Sequence, residues 1–168
     1  MKKIILFTTA ILFISLVSFA QTERKLEFNV GAELHFTTGN FSNTHSFGLG
    51  ATGQLEIPVQ EKLDFTATSG IIFYNGKSIT SGSKYSGVNI IPIRAGLKYF
   101  LTGSIYGAFQ AGVGIINKGV GTAFAYSPQI GYEFVSKSSK ALDLSLKYDG
   151  YSKDGTISSI GVRFALTL

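Results

Sequence analysis

The sequence predicts an all-β fold: a closed antiparallel barrel of eight strands running up and down across a membrane, preceded by a cleaved signal peptide. Three observations predict it. Apolar residues alternate with polar or very small ones in eight separate stretches, the period-two signature of strands whose two faces meet different surroundings. These stretches run to about eleven residues. At ~3.3 Å per residue and a tilt of ~40°, they cover roughly 28 Å, the height of the apolar band around a membrane barrel. Finally, the apolar faces carry few charges, while the opposite faces mix Gly, Ser and Thr with isolated charges of both signs.

Residues 1–20 are a different kind of sequence. Lys2 and Lys3 precede an apolar run from Ile4 to Val17, and Ser18-Phe19-Ala20 supplies small residues at the spacing of a cleavage site. This is the pattern of a secretory signal peptide, and the run is short for a spanning helix, which needs about 20 apolar residues. The barrel domain is therefore expected over 21–168. Losing Lys2 and Lys3 removes two positive charges and takes the formal net charge from +5 to +3. No basic cluster remains, which argues against a nucleic-acid partner. The chain has no Cys, which excludes a disulfide scaffold, thiolate zinc sites and a lipid-modified N-terminal Cys.

In chain order, the first strand runs from about Leu26 to Thr37. Leu26, Phe28, Val30, Ala32, Leu34 and Phe36 form one face, and Glu27, Asn29, Gly31, Glu33 and His35 the other. After the loop TGNFSNT, a second strand from about His45 to Ile57 sets Phe47, Leu49, Ala51, Leu55 and Ile57 against Ser46, Gly48, Gly50, Thr52, Gln54 and Glu56. PVQEK turns the chain into a third strand, Leu63 to Tyr74, where Leu63, Phe65, Ala67, Ile71 and Phe73 oppose Asp64, Thr66, Thr68 and Gly70. The longest loop, NGKSITSGSKYS, is rich in Gly and Ser.

The fourth strand, about Val88 to Phe100, alternates cleanly only in its second half. Val88 and Ile90 fall out of phase there, and Pro92 marks the change. Proline cannot donate to a ladder, so a β-bulge beside it is expected to reset the side-chain direction. The fifth strand, Ile105 to Ile116, places Phe109, Ala111, Val113 and Ile115 opposite Ala108, Gln110, Gly112 and Gly114. The sixth, Ala123 to Val135, sets Phe124, Tyr126, Ile130, Tyr132 and Phe134 against Ala125, Ser127, Gln129, Gly131 and Glu133. In the seventh, Ala141 to Tyr151, Leu142, Leu144, Leu146 and Tyr148 oppose Asp143, Ser145, Lys147 and Asp149. The last strand ends in Ile160, Val162, Phe164, Leu166 and Leu168 against Ser159, Gly161, Arg163, Ala165 and Thr167.

Alternation alone fits two opposite barrels: a soluble ligand-binding barrel with apolar residues inside, or a membrane barrel with lipid outside and a polar lumen. The second fits better. Small residues suit a narrow interior, opposite charges can pair there, and the rings of Phe36, Phe47, Phe73, Tyr74, Tyr99, Phe100, Phe134 and Tyr148 sit near strand ends, where lipid meets water. An even strand count places both termini on one side, here the periplasm, and closure removes unpaired strand edges.

The segments NIIPIRAGLKYF, YGAFQAGVGI and SPQIGYEF resemble successive strands of the small outer-membrane β-barrel domain family, the porin-family proteins of Gram-negative bacteria. The resemblance covers 21–168 and implies an integral, eight-stranded, monomeric barrel of the cell outer membrane. Phe164, Leu166 and Leu168 are similar to the terminal strand read by the outer-membrane assembly machinery, although this strand finishes on Leu where many finish on Phe. Implied partners are outer-membrane lipid and that machinery, and no cofactor is expected.

The inward charges are Glu27, Glu33, Glu56, Asp64, Glu133, Asp143 and Asp149 with Arg94, Lys98, Lys147 and Arg163, joined by His35. Because unpaired charge in a narrow lumen is costly, they are expected to form an ion-paired network, with Arg163 beside Glu33 or Glu27 across the closing strands. The same residues would line a narrow passive pore for ions or small solutes, the alternative function. Catalysis is not expected. Lipid-modifying barrels resembling outer-membrane deacylases use a Ser–His–acid set, and His35 and His45 do lie near Ser42, Ser46 and Glu33, yet no fixed nucleophile motif is present. The two His lack metal-ligand spacing, and the Gly-x-Gly patterns lie within strands, not before a helix as phosphate loops require. Lys77, Lys84 and Tyr85 on the longest loop are the candidates for surface contacts. The expected role is structural or interactional in the cell envelope.

Overall fold

Eight strands close into a barrel in plain chain order. The computed structural model describes residues 24–79, 82–117, 121–135, 141–153 and 155–168, so the expected signal peptide lies outside the described residues. The strands are β1 (Glu27–Thr38), β2 (His45–Gln60), β3 (Leu63–Gly76), β4 (Val88–Phe100), β5 (Ile105–Ile116), β6 (Gly121–Val135), β7 (Ala141–Ser152) and β8 (Thr156–Thr167). Each pairs antiparallel with its chain neighbours, and β1 pairs with β8 from Asn29↔Thr167 to Thr38↔Ser158. Both described chain ends therefore lie at the end with the shorter turns. The opposite, loop end carries a short 3₁₀ helix, Gly39–Asn43, between β1 and β2.

The alternation is apolar-out. Leu34 is 39% and Phe164 55% exposed on the outer wall, while Glu33, His35 and Arg163 are buried inside. A soluble barrel with an apolar interior is the reverse arrangement.

The expected bulge at Pro92 is not there. β4 pairs with β5 without a break from Ile90↔Ile116 to Phe100↔Tyr106, and its register with β3 is the same on both sides of the proline. Ile90 points inward and is fully buried, while Ile91 and Ile93 point outward. The β3–β4 ladder simply lacks paired residues between Ser69↔Ile93 and Ile72↔Ile90, which accommodates the missing N–H without changing phase. The apparent phase change has a different cause: the lumen itself becomes apolar at the loop end. Ile72, Tyr74, Ile90, Ile116, Ala123, Ala125 and Tyr151 form a buried layer there, joined by Phe41 from the 3₁₀ helix; Tyr74, and Phe100 at the other end, are thus buried inside and not set at the lipid–water interface as expected, because their positions share the inward parity of their strands.

Register shifts occur instead in the β2–β3 pair, at His45/Gly48 and Pro58/Gln60. β2 thus runs through Pro58 to Gln60, and only Glu61 and Lys62 form the turn expected over PVQEK. Inward glycines make room for the rings of facing strands. A Cβ on Gly161 would lie 2.7 Å from His35 Nδ1, and one on Gly48 would lie 2.7 Å from the Tyr74 ring.

Candidate functional site: the lumen

The side chains of odd-numbered β1 residues and their counterparts on the other strands converge on the barrel axis and form two linked ion clusters. Nearer the loop end, Lys147 Nζ lies 2.7 Å from Glu33 Oε2 and 3.4 Å from Asp149 Oδ2. Arg94 Nη1 donates to Asp149 Oδ1 at 2.7 Å, and Ser127 Oγ donates to the same oxygen at 2.6 Å. His35 bridges this cluster to the apolar layer. Its Nε2 lies 2.8 Å from Glu33 Oε2, its Nδ1 shares a 3.2 Å hydrogen bond with Ser159 Oγ, and Ser159 shares a 2.8 Å bond with the Tyr74 hydroxyl.

Polar contacts then run toward the turn end. Thr52 Oγ1 donates to Glu33 Oε1 at 2.7 Å, and Arg163 Nε donates to Thr52 at 3.1 Å. Arg163 lies opposite Glu33 in the closing register, its Nε 3.6 Å from Glu33 Oε1. It also donates to Asn29 Oδ1 at 2.9 Å, and Asn29 donates to Glu56 at 3.0 Å. Lys98 Nζ lies 2.8 Å from Glu56, 3.6 Å from Glu133 and 4.0 Å from Asp143. It also sits over the Tyr106 ring, 4.3 Å from the centroid, a favourable place for an ammonium. Burying charge is tolerable only with such partners, since removing one leaves the other desolvated and unpaired.

Two expected members sit at the edge of this arrangement. Asp64 is held by a bidentate pair with Arg24, at 3.0 and 2.9 Å. Glu27 is half-buried near the turn end. Arg24 was not legible as a lumen residue. It precedes β1, and an even position in that alternation belongs to the outer face, yet the chain folds its guanidinium over Phe100, 4.5 Å from the ring centroid. Ser159 and Phe41 were missed as well, although Ser159 shares the inward parity of Arg163.

A Ser–His–acid constellation does form, but from Ser159, His35 and Glu33 rather than from Ser42 or Ser46. Ser42 instead donates to Gly39 O within the 3₁₀ helix. His45 is held by Thr44 Oγ1 and Ser86 O and stacks on Phe41 at 4.3 Å. Ser159 and His35 are fully buried beneath Tyr74, and Lys147 pins the carboxylate. On the loops, Lys77 Nζ donates to Ser42 O at 2.6 Å, the backbone of Lys84 pairs with that of Ser78 in an isolated antiparallel bridge, and Tyr85 is 42% exposed. Above the apolar layer opens a cleft of about 660 Å³ whose lining includes Phe41, Ile116, Tyr151, Lys153 and Ile157.

Solved structures similar to this barrel include small outer-membrane barrels. Neisserial surface protein A matches with a TM-score of 0.60 at 12% identity, covering 85% of this chain and 96% of that one. The Yersinia pestis outer-membrane protein Ail matches at 0.58 with 9% identity, covering 86% of this chain and all of that one. OprG of Pseudomonas aeruginosa matches at 0.51 with 8% identity over 88% and 95%. The chain has the fold of the small eight-stranded outer-membrane β-barrels. No protein-family model matches the sequence, and no curated protein matches it. Identities this low speak for the barrel and its strand order, and leave the residues of the lumen to be read on their own chemistry.

Proposed function

We propose that this chain is an integral, monomeric outer-membrane barrel with both termini in the periplasm. Its role is structural or one of surface contact, with no catalysis and no solute flow through the lumen. One observation carries the reading: the interior is occupied by interlocked side chains and then capped by an apolar layer, while the outer wall presents a belt of Phe, Leu, Ile and Val. In water that belt would be strongly unfavourable, at about 25 cal/mol per Å² of apolar surface. Against acyl chains it is at home. Eight strands give an interior just wide enough for side chains to fill, and these side chains are tied to one another. The Ser159–His35–Glu33 set supports no acyl transfer because Ser159 is held by Tyr74 and buried away from the mouth cleft. Insertion would proceed through the β8 strand with its outward Phe164, Leu166 and Leu168.

Surface contact is the part of this role that the loop end would perform. A crystal structure of Yersinia pestis Ail, a barrel of the same fold, holds the heparin analogue sucrose octasulfate. Here Lys77, Lys84 and Tyr85 offer a basic and aromatic edge on the β3–β4 loop. The deciding experiment is conductance of the refolded protein in a planar bilayer. The expected result is no channel events above background. Discrete openings would replace the closed reading with a narrow passive pore lined by the same charges.

A further inference from the structure

The cleft of about 660 Å³ at the mouth of the barrel takes no part in the ion clusters beneath it. Its floor is apolar and partly aromatic. Phe41 comes from the 3₁₀ helix, Ile116 ends β5, Ala123 lies near the start of β6 and Tyr151 near the end of β7. All four belong to the buried layer, and Ile157 of β8 packs against it. The floor is set before any ligand arrives. Phe41 stacks on His45 with ring centroids 4.3 Å apart and meets Tyr74 edge-on at 5.2 Å. A ring already held in this way loses little freedom on binding.

The rim contributes charge of one sign. Lys153, in the turn between β7 and β8, is exposed and lines the cleft. Its Nζ would stand 3.3 Å from a Cβ placed on Gly121, and Gly121 is the cross-strand partner of Ile116. The ammonium thus reaches back over the start of β6, close to the floor residues Ile116 and Ala123. None of the described residues lining the cleft is acidic. Concave sites of roughly 300–1,000 Å³, mainly apolar with a few placed polar groups, are the usual form of small-molecule sites, and barrel mouths are among their usual positions. A flat aromatic body suits the rings of Phe41 and Tyr151. A carboxylate suits the ammonium.

We infer that the mouth cleft binds a small aromatic carboxylate, with its ring on Phe41, Ile116 and Tyr151 and its carboxylate at Lys153. The site stands whether or not the lumen conducts. Naphthoate titrated calorimetrically into the barrel in lipid nanodiscs, with empty nanodiscs as the blank, tests this. Naphthylmethanol serves as the neutral counterpart. The expected result is saturable binding of naphthoate and weaker binding of the alcohol. K153Q should weaken naphthoate about fivefold, as for an exposed charge pair, and leave the alcohol unchanged. A123F, which fills the cleft from its floor, should abolish both; heat-modifiable gel migration checks that it folds. K153Q changes only an exposed turn residue and decides the matter if A123F does not fold. Absence of saturable naphthoate binding in the wild type, equal binding of the alcohol, or naphthoate binding unchanged in K153Q or in folded A123F overturns the inference.

Discussion

Around Glu33 and Asp149 the lumen supplies Lys147 and Arg94 within hydrogen-bonding reach, whereas around Glu27, Glu56, Glu133 and Asp143 the described residues supply Lys98, 2.8 Å from Glu56, and Arg163, 3.5 Å from Asp143. The two clusters occupy the same barrel and arise from the same alternation, yet one is balanced and the other is not. Their surroundings account for the difference. The balanced cluster lies directly under the apolar layer of Ile72, Tyr74, Ile90 and Tyr151, which separates it from the loop-end cleft, and Lys147 and Arg94 supply its neutralising charge. The acidic cluster reaches the turn end at half-buried Glu27, where bulk water can share the compensation. Charge balance inside a narrow barrel is thus a local requirement, set by what each level of the lumen can reach.

The largest break in this comparison is expected from Arg94→Ala. It leaves Asp149 buried with Lys147, Ser127 and distant His35 but without its 2.7 Å guanidinium. A loss of about 3–5 kcal/mol is expected for removing one partner of a buried pair, read from denaturant unfolding of the barrel in lipid vesicles. A loss below about 1 kcal/mol would mean that water reaches this level and that the apolar layer does not seal it. Next in size is Ile90→Ala, which opens a void in the layer itself. About 2 kcal/mol is expected, the low end for Ile→Ala in a core, because neighbours bordering the mouth cleft can relax into the space. Conductance should stay absent, since the ion clusters beneath are untouched.

Strand order and facing were legible because a period of two leaves little freedom. Once Leu34 and Phe164 are outward, Glu33 and Arg163 must be inward, and closing β1 onto β8 sets them opposite each other. Other features had weaker signals. Val88 and Ile90 read as a slipped phase because an inward apolar residue contradicts a polar lumen. Only the three-dimensional layer supplied by β3, β5, β6, β7 and Phe41 explains why Ile90 belongs inside. Arg24 lies before the first strand, where alternation has no authority, and its partner Asp64 is forty positions away. Pairings within the lumen were illegible for a related reason. Parity says which side chains enter the barrel, but their level along the axis depends on the register between strands, and contacts such as Arg94 with Asp149 cross the lumen between strands that are not neighbours.

The smallest expected effect sharpens the comparison most, because its sign is unusual. Glu133→Gln removes a buried carboxylate that lies 3.6 Å from Lys98, an attractive contact whose loss on its own is destabilising. In the acidic cluster the same change also removes repulsion from Glu56, Glu27 and Asp143, and Lys98 retains Glu56 at 2.8 Å. The two contributions nearly cancel. The net change expected is within about 1 kcal/mol and on the stabilising side, unlike most substitutions of buried residues. Unfolding midpoints of wild type and E133Q, measured in the same lipid, give the sign. A clear destabilisation would show that Lys98 needs Glu133 more than the cluster needs relief from it, and would make the two halves of the lumen alike.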